Sequence, residues 1–167
     1  ELVESVNEEL QVRVAGLLAN CCAQVAAARE ALHALGTARK LLPLLSSGNE
    51  EVQEAGAMAI QQISLLPAAA REVRLHGGVT LLVELMASLD PRVQFCAVSA
   101  TMNLAVSDPK SAAAIAKAEA AREAKLAAMQ AKAAALNSMG AETAVCFECG
   151  SGEETVGNDI LLCDGPG

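Results

Sequence analysis

Residues 77–105 read GGVTLLVELMASLDPRVQFCAVSATMNLA, two apolar segments separated by a short polar turn. A pair of glycines opens the stretch, and glycine commonly ends a preceding helix. Leu82 and Leu85 lie three residues apart, as on one face of a helix. Asp90 and Pro91 suit the cap and the first position of a second helix. The stretch therefore predicts a short helix, a turn and a longer helix.

The same pattern occurs earlier in the chain, which indicates an internal repeat of about forty residues. In the earlier copy Leu41, Leu44 and Leu45 fall at i, i+3 and i+4 and predict a single apolar stripe along one helix. Two blocks recur in the same order. The first block pairs Gly36, Leu41, Leu44, Leu45 and Ser47 with Gly77, Leu82, Leu85, Met86 and Ser88; the second aligns Val12, Val52 and Val93, each followed by small residues.

Composition favours an all-α protein with an aliphatic core. Hydrophobic residues make up 53% of the 167, with no Trp, no Tyr and two Phe. Few segments alternate as a half-buried strand does, and no run of 18 apolar residues predicts a membrane span. Cys21, Cys22 and Cys96 lie in apolar helical stretches and are predicted to be buried thiols.

The repeat resembles the armadillo family over residues 8–115, with HEAT repeats as the close alternative. The resemblance implies three-helix units stacked in a right-handed superhelix of two to three repeats, here residues 1–108, with a groove that binds a protein partner. It implies that Asn103 and Gln62 hold the backbone of an extended peptide. The equivalent residue in the first repeat is Cys22, or Asn20 if the alignment of that repeat is shifted. The alternative for Asn103 is a residue that bonds its own helical turn.

Residues 109–140 predict a long Ala-rich helix instead of another repeat. Asp108 suits the cap and Pro109 the first turn, and the helix is expected to end near Met139 and Gly140. A semi-rigid spacer and a dimerisation helix are both open readings. The apolar stripe that would serve the second reading is Leu126, Met129, Ala133 and Leu136.

Residues 141–167 contain a cysteine pattern typical of zinc binding. Cys146 and Cys149 form Cys-x-x-Cys, and thirteen residues, the last three of them Ile-Leu-Leu, separate Cys149 from Cys163. A redox dithiol is the other use of such a pair. The segment resembles the start of a PHD finger, which implies two interleaved zinc sites built from four Cys, one His and three Cys. By that likeness Cys146 and Cys149 belong to one site and Cys163 to the other.

The next ligand of such a finger is expected just past Gly167, and a chain that starts on Glu1 and ends on Gly-Pro-Gly is predicted to be a fragment. Because metal binding supplies the folding free energy of such modules, about 10–16 kcal/mol for a complete site, the tail as given is predicted to be metal-free.

The charge is divided among the three segments. Residues 1–108 carry twelve acids and seven bases, residues 109–139 two acids and five bases, and residues 140–167 six acids and no base. A base-free tail excludes phosphate binding there, so no direct nucleic-acid partner is expected. The PHD likeness implies that the acidic tail binds basic histone tails in the nucleus, with the cytoplasm as the other expected location. The acids concerned are Glu153, Glu154, Asp159 and Asp164.

No catalytic constellation is present in the sequence. Gly152 and Gly157 have the spacing of a phosphate loop but lack the Lys-Ser/Thr that must follow. His33 and His76 are predicted to be surface residues without an acidic partner. The sequence therefore predicts a non-catalytic interaction scaffold. The alternative is the targeting region of a larger enzyme, such as a ubiquitin ligase or a histone modifier.

Overall fold

The computed structural model describes Ser5, Asn7 and residues 8–141, with side chains through residue 136. Within this part of the chain every regular element is a helix. In chain order they are α1 (Glu8–Gln24), α2 (Ala26–Ala34), α3 (Thr37–Leu41) followed by a 3₁₀ helix (Leu42–Ser46), α4 (Glu50–Ile63), α5 (Pro67–Leu75), α6 (Gly78–Leu85), α7 (Pro91–Ser107) and α8 (Pro109–Ala141).

The helices form units of three, and we call the members of a unit its first, second and third helix. The first helices are α2 and α5, the second helices are α3 with its 3₁₀ extension and α6, and the third helices are α1, α4 and α7. The third helices pack in sequence, α1 against α4 and α4 against α7. Within the described residues, the array runs from the third helix α1 through two complete units, α2 to α4 and α5 to α7.

Each third helix begins at a side-chain cap two residues after a serine. The caps Asn7, Asn49 and Asp90 accept hydrogen bonds from the backbone N–H groups of Leu10, Glu51 and Arg92, at 3.1, 2.9 and 2.7 Å. Such caps satisfy N–H groups that have no partner inside the helix. The third helices therefore begin at equivalent places.

The residues around these caps correct the predicted alignment of α1 with α4. Gln11 Nε2 donates to the carbonyl of Ser5 at 2.6 Å, and Gln53 Nε2 donates to the carbonyl of Ser47 at 2.7 Å. The spacing between these equivalent pairs is 42 residues, whereas the match of small apolar residues placed Val12 opposite Val52, a spacing of 40. That first alignment is wrong by two residues, because the recurrence of small residues in an Ala-rich helix is less specific than a cap.

The second helix of the first complete unit is not one α-helix, contrary to the stripe predicted from its leucines. The α-helical part ends at Leu41 and a 3₁₀ helix follows, since Pro43 has no backbone N–H to donate to the preceding turn. Leu41, Leu44 and Leu45 are nevertheless all buried.

Two glycines mark the corner between first and second helices. Gly36 and Gly77 have φ of +67° and +81°, in the left-handed region that side chains with a Cβ avoid. The neighbouring Gly78 is needed for space, because a Cβ there would lie 2.6 Å from Val73 Cγ1 and 2.7 Å from Leu42 Cδ2.

The core is aliphatic, as predicted, and two of the three described cysteines belong to it. Cys22 and Cys96 are buried, and this burial raises the pKa of each thiol. Cys21 is exposed, so its predicted burial is wrong. The equivalent Ile63 of α4 is fully buried, so the same helix position differs in burial between the two repeats.

The last helix begins like the first helix of a further unit. Pro109 opens α8 as Pro67 opens α5, and Ile115 is partly buried against the core at the place of the fully buried Val73. α5 ends at Leu75 and Gly77 follows at the corner, whereas α8 has Glu119 at the place of Gly77; without a residue suited to the left-handed corner, the helix continues. It runs to Ala141, slightly beyond its predicted end.

Two compact units meet inside this helix, at Glu123 and Ala124. Leu126, Met129 and Leu136 are exposed, and the choice between a spacer and a dimerisation helix stays a prediction.

Candidate binding face of the third helices

An exposed face crosses α1, α4 and α7 and is called the ladder face below. It follows from the corrected alignment, since equivalent residues of successive third helices lie side by side. Its three rows are Glu9, Glu51 and Arg92; Gly16, Met58 and Ser99; and Asn20, Gln62 and Asn103, all of them exposed or partly exposed.

Asn103 joins two repeats. Its Nδ2 donates to the backbone carbonyl of Gln61 at 2.8 Å. Gln61 is in the last turn of α4, where carbonyls lack a helical partner, so Asn103 satisfies a group that the helix leaves open. The alternative in which Asn103 bonds its own turn is therefore wrong. The second N–H and the Oδ1 of the amide are not used in this bond.

The other two members of the amide row are Asn20 and Gln62. The alignment by caps places Asn20, and not Cys22, at the position of Gln62 and Asn103. Gln62 is partly exposed and Asn20 fully exposed. Three amide side chains therefore stand at equivalent positions along the third helices, each with donors and an acceptor. Whether they bind a peptide stays a prediction at this point.

The opposite end of the ladder face is acidic. Glu9 pairs with Arg13 one turn later at 2.8 Å, both side chains well exposed, and Glu8 Oε2 accepts from Asn49 Nδ2 at 2.8 Å. Exposed pairs of this kind contribute little stability. An open cleft of about 600 Å³ lies here, lined by Glu8, Glu9, Val12, Arg13, Asn49 and Glu51.

Arg92 is the basic member of the first row, and acids hold it in place. Its Nη2 lies 2.9 Å from Asp90 Oδ2 and its Nη1 lies 3.2 Å from Glu54 Oε2 on α4. The hydrogen bond from Arg92 lowers the pKa of Asp90, and that same bond, followed by the charge of Glu54, raises the pKa of Arg92. The positive charge of Arg92 is thus balanced within the array.

Two polar links connect the first helices. His33 Nδ1 on α2 lies 3.0 Å from Glu72 Oε2 on α5, so the prediction of a histidine without an acidic partner is wrong for His33. Arg74 Nε donates to Asp108 Oδ2 at 2.6 Å, and Ser111 Oγ donates to the same oxygen at 3.0 Å. These bonds, led by the one from Arg74, lower the pKa of Asp108.

A stripe of exposed apolar side chains on α7 was missed in the sequence analysis. Phe95, Met102 and Val106 are 69%, 64% and 84% exposed. Their spacing of seven and then four residues places them on one side of the helix. In the sequence of an apolar helix such as α7, these residues are predicted to be core. Only the packing of the neighbouring helices shows which side of α7 is buried.

The predicted zinc ligands Cys146, Cys149 and Cys163 lie outside the described residues. Among residues 8–141, no three His, Cys, Asp or Glu side chains are grouped as metal ligands are. No helix in this same range is long and apolar enough to cross a membrane.

Comparison with solved structures agrees with this architecture. An engineered protein from the Northeast Structural Genomics Consortium is 33% identical, with a TM-score of 0.68 over 70% of this chain and 48% of its own. A second such engineered protein is 34% identical, with a TM-score of 0.67 over 70% of this chain and 29% of its own. A designed armadillo repeat protein is 24% identical, with a TM-score of 0.65 over 70% of this chain and 50% of its own.

The chain has an armadillo-like repeat fold. It spans half or less of the length of these solved proteins. No protein-family profile and no curated protein matches the sequence. The likeness therefore rests on the helical array itself, and the PHD resemblance of the tail stays a prediction.

Proposed function

We propose that this protein is a non-catalytic scaffold that binds an extended segment of a partner protein across its ladder face. The observation that carries the proposal is the row of Asn20, Gln62 and Asn103. An extended peptide that crosses the third helices presents backbone N–H and C=O groups along its whole length, and side-chain amides can bond both kinds of group.

The dimensions limit the length of the bound segment. Packed helices lie about 8–10 Å apart, so three third helices extend over roughly 20 Å. A strand advances about 3.3 Å per residue. The amide row therefore matches roughly six residues of extended chain.

The charge at the other end of the face suggests the side chains of the partner. Glu9 and Glu51 are exposed there, while Arg92 is engaged by Asp90 and Glu54. Met58, in the row between these charged residues and the amide row, offers a partly exposed apolar surface. A segment with a basic residue next to a small apolar one complements both features.

Selection from a displayed library of random ten-residue peptides tests this proposal. Enriched peptides should lose at least tenfold in affinity with Asn20→Ala and with Gln62→Ala, two side chains with no bond to the rest of the array among those described. Glu84→Gln, an exposed change on α6, is the control and should leave affinity unchanged. Failure to enrich peptides, or peptides indifferent to both amide changes, would reject the ladder face as a binding site.

The cysteine-containing tail adds a second module to the proposal. Cys146, Cys149 and Cys163, with the sequence around them, support a PHD-type finger that binds zinc once its remaining ligands are supplied in a longer chain. Such a finger would bind a histone tail as an added strand beside its acidic residues and would place the protein in the nucleus.

Zinc and histone binding test that second module separately. Residues 1–167 alone should not hold stoichiometric zinc after dialysis, whereas a chain extended to the full ligand set should. The extended chain should retain an immobilised histone H3 tail peptide, and Cys163→Ser should abolish the retention. Retention that survives Cys163→Ser would exclude the finger as the reader.

A further inference from the structure

A fourth row of equivalent residues crosses the third helices, on the far side of the amide row from the charged residues. By the alignment of the caps it consists of Ala23, Leu65 and Val106, each three positions after its amide residue. Residues three or four apart are neighbours on one side of a helix. Leu65 and Val106 are 45% and 84% exposed, and Ala23 is exposed as well. We call these three residues the apolar row.

Leu65 lies just past the end of α4 but continues its last turn. Its backbone N–H donates to the carbonyl of Gln62 at 3.4 Å, and Ser64 before it has a right-handed helical backbone. Ala23 lies within α1, and Val106, which also belongs to the exposed stripe on α7, lies within that helix. The three side chains of the apolar row therefore leave equivalent turns of their helices.

The amide row thus lies between two rows of different character. Toward the N-terminal ends of the third helices it is bordered by Gly16, Met58 and Ser99, with the acids Glu9 and Glu51 beyond them. Toward the C-terminal ends it is bordered by the aliphatic side chains of the apolar row. The two sides of the proposed peptide site therefore differ in the side chains that they can accept.

An extended segment on the amide row directs its side chains toward both of these sides. In a strand the backbone N–H and C=O groups point at right angles to the side chains, and successive side chains point in opposite directions. When the backbone bonds to the amides beneath it, the side chains are directed along the third helices, alternately toward their two ends. Of the roughly six residues that span three helices, about half thus face the apolar row.

We infer that the segment bound on the ladder face carries aliphatic side chains at alternate positions, and that Leu65 and Val106 select them. The inference rests on the proposed function, because it assigns specificity to that same site. An aliphatic side chain that covers Leu65 and Val106 removes apolar surface from water on both molecules. A charged side chain in the same place would lose water without gaining an ion pair from the apolar row.

The intervening residues of the segment face the opposite side of the amide row. There Met58 is partly exposed, and the acids Glu9 and Glu51 beyond it favour basic residues. The partner is therefore a segment in which aliphatic residues alternate with residues that include Lys or Arg.

Peptides enriched from the displayed ten-residue library on residues 1–167 test the inference. Serine substitution along each peptide should identify Leu, Ile or Val at every second position of the bound span. In the protein, Leu65→Ser and Val106→Ser should each weaken binding about fivefold or more, through loss of one aliphatic contact. Leu75→Ser, which replaces a leucine 67% exposed on the first helix α5, is the matched control and should leave affinity unchanged.

Replacement of the aliphatic side chains by acids tests specificity in a protein that still binds. A second selection uses the variant with both Leu65→Glu and Val106→Glu. Peptides enriched on this variant should carry Lys or Arg where the first set carried aliphatic residues. They should still lose affinity with Asn20→Ala, because the backbone contacts of the amide row are unchanged.

The outcomes separate this inference from the proposed function. Peptides that depend on Asn20 and Gln62 but tolerate Leu65→Ser and Val106→Ser would overturn the inference and leave the proposed function standing. An equal loss of affinity with Leu75→Ser would also overturn it, because the apolar contact would then not be specific to the ladder face. Failure to enrich any peptide would reject both.

Discussion

Leu44 lies directly against the backbone of Gly56, so that a Cβ added to the glycine would be 2.8 Å from the Cβ of Leu44. This contact joins the second and third helices of one unit. Gly16 also lies in the interior of a third helix, but nothing is within 4 Å of an added Cβ there. The two glycines therefore form a matched pair in which only the packing differs.

Gly56→Ala should destabilise the protein by about 1–3 kcal/mol, since overpacking at Leu44 exceeds the gain in helix propensity. Gly16→Ala should stabilise it by about 0.5–1 kcal/mol, because only the propensity changes. Urea unfolding followed by circular dichroism measures both. Equal effects of the two changes would contradict the packing at Gly56.

Acid should weaken the link between Arg74 and Asp108. Because the folded state lowers the pKa of Asp108, its contribution is complete above the unfolded pKa of about 3.9 and is lost as the pH falls through the lower folded value. Asp108→Asn should lower the Tm at pH 7, and the difference from the unchanged protein should shrink below about pH 4. Glu84→Gln is the control and should show no such trend; a difference independent of pH would argue against the ion pair.

His33 and Glu72 should be energetically coupled across two repeats. At 3.0 Å the contact is favourable only if Nδ1 carries a hydrogen, because two acceptors would otherwise face each other. A double-mutant cycle of His33→Ala and Glu72→Ala should give a coupling of about 0.5–1.5 kcal/mol. Nitrogen-15 NMR should find the hydrogen on Nδ1. A coupling near zero would show that the two side chains are independent.

Two buried serines should respond in opposite ways to loss of the hydroxyl. Ser64 and Ser111 are both fully buried, but Ser64 Oγ has no hydrogen-bond partner among the described residues, while Ser111 Oγ donates to Asp108. Ser64→Ala should be neutral or stabilise by up to about 1 kcal/mol, and Ser111→Ala should destabilise by about 1–2 kcal/mol. Thermal unfolding of both variants measures these changes in stability. A clear loss of stability in Ser64→Ala would show that the Ser64 hydroxyl has a hydrogen-bond partner.

Much of the array followed from local sequence signals. Asp90 and Pro91 start α7 where predicted, and Gly77 ends the preceding helix, because caps, prolines and left-handed glycines act on the backbone within a few residues. The cap residues also contain the correct alignment: each third helix follows a serine and, two residues later, an Asn or Asp cap, and has a Gln four residues after that cap. The recurrence of small residues favours the other alignment, which puts Cys22 instead of Asn20 in line with Gln62 and Asn103.

The sequence by itself determined that this protein is a repeated array of helices with an aliphatic core, because helix starts, corners and apolar faces are written in residues close together along the chain. Only the tertiary structure decided which side of each helix is covered. Asn103 bonds a helix 42 residues earlier in the chain, and Phe95 is exposed although its helix is apolar. Both depend on which neighbour is present, and helical periodicity specifies a face without specifying what packs against it.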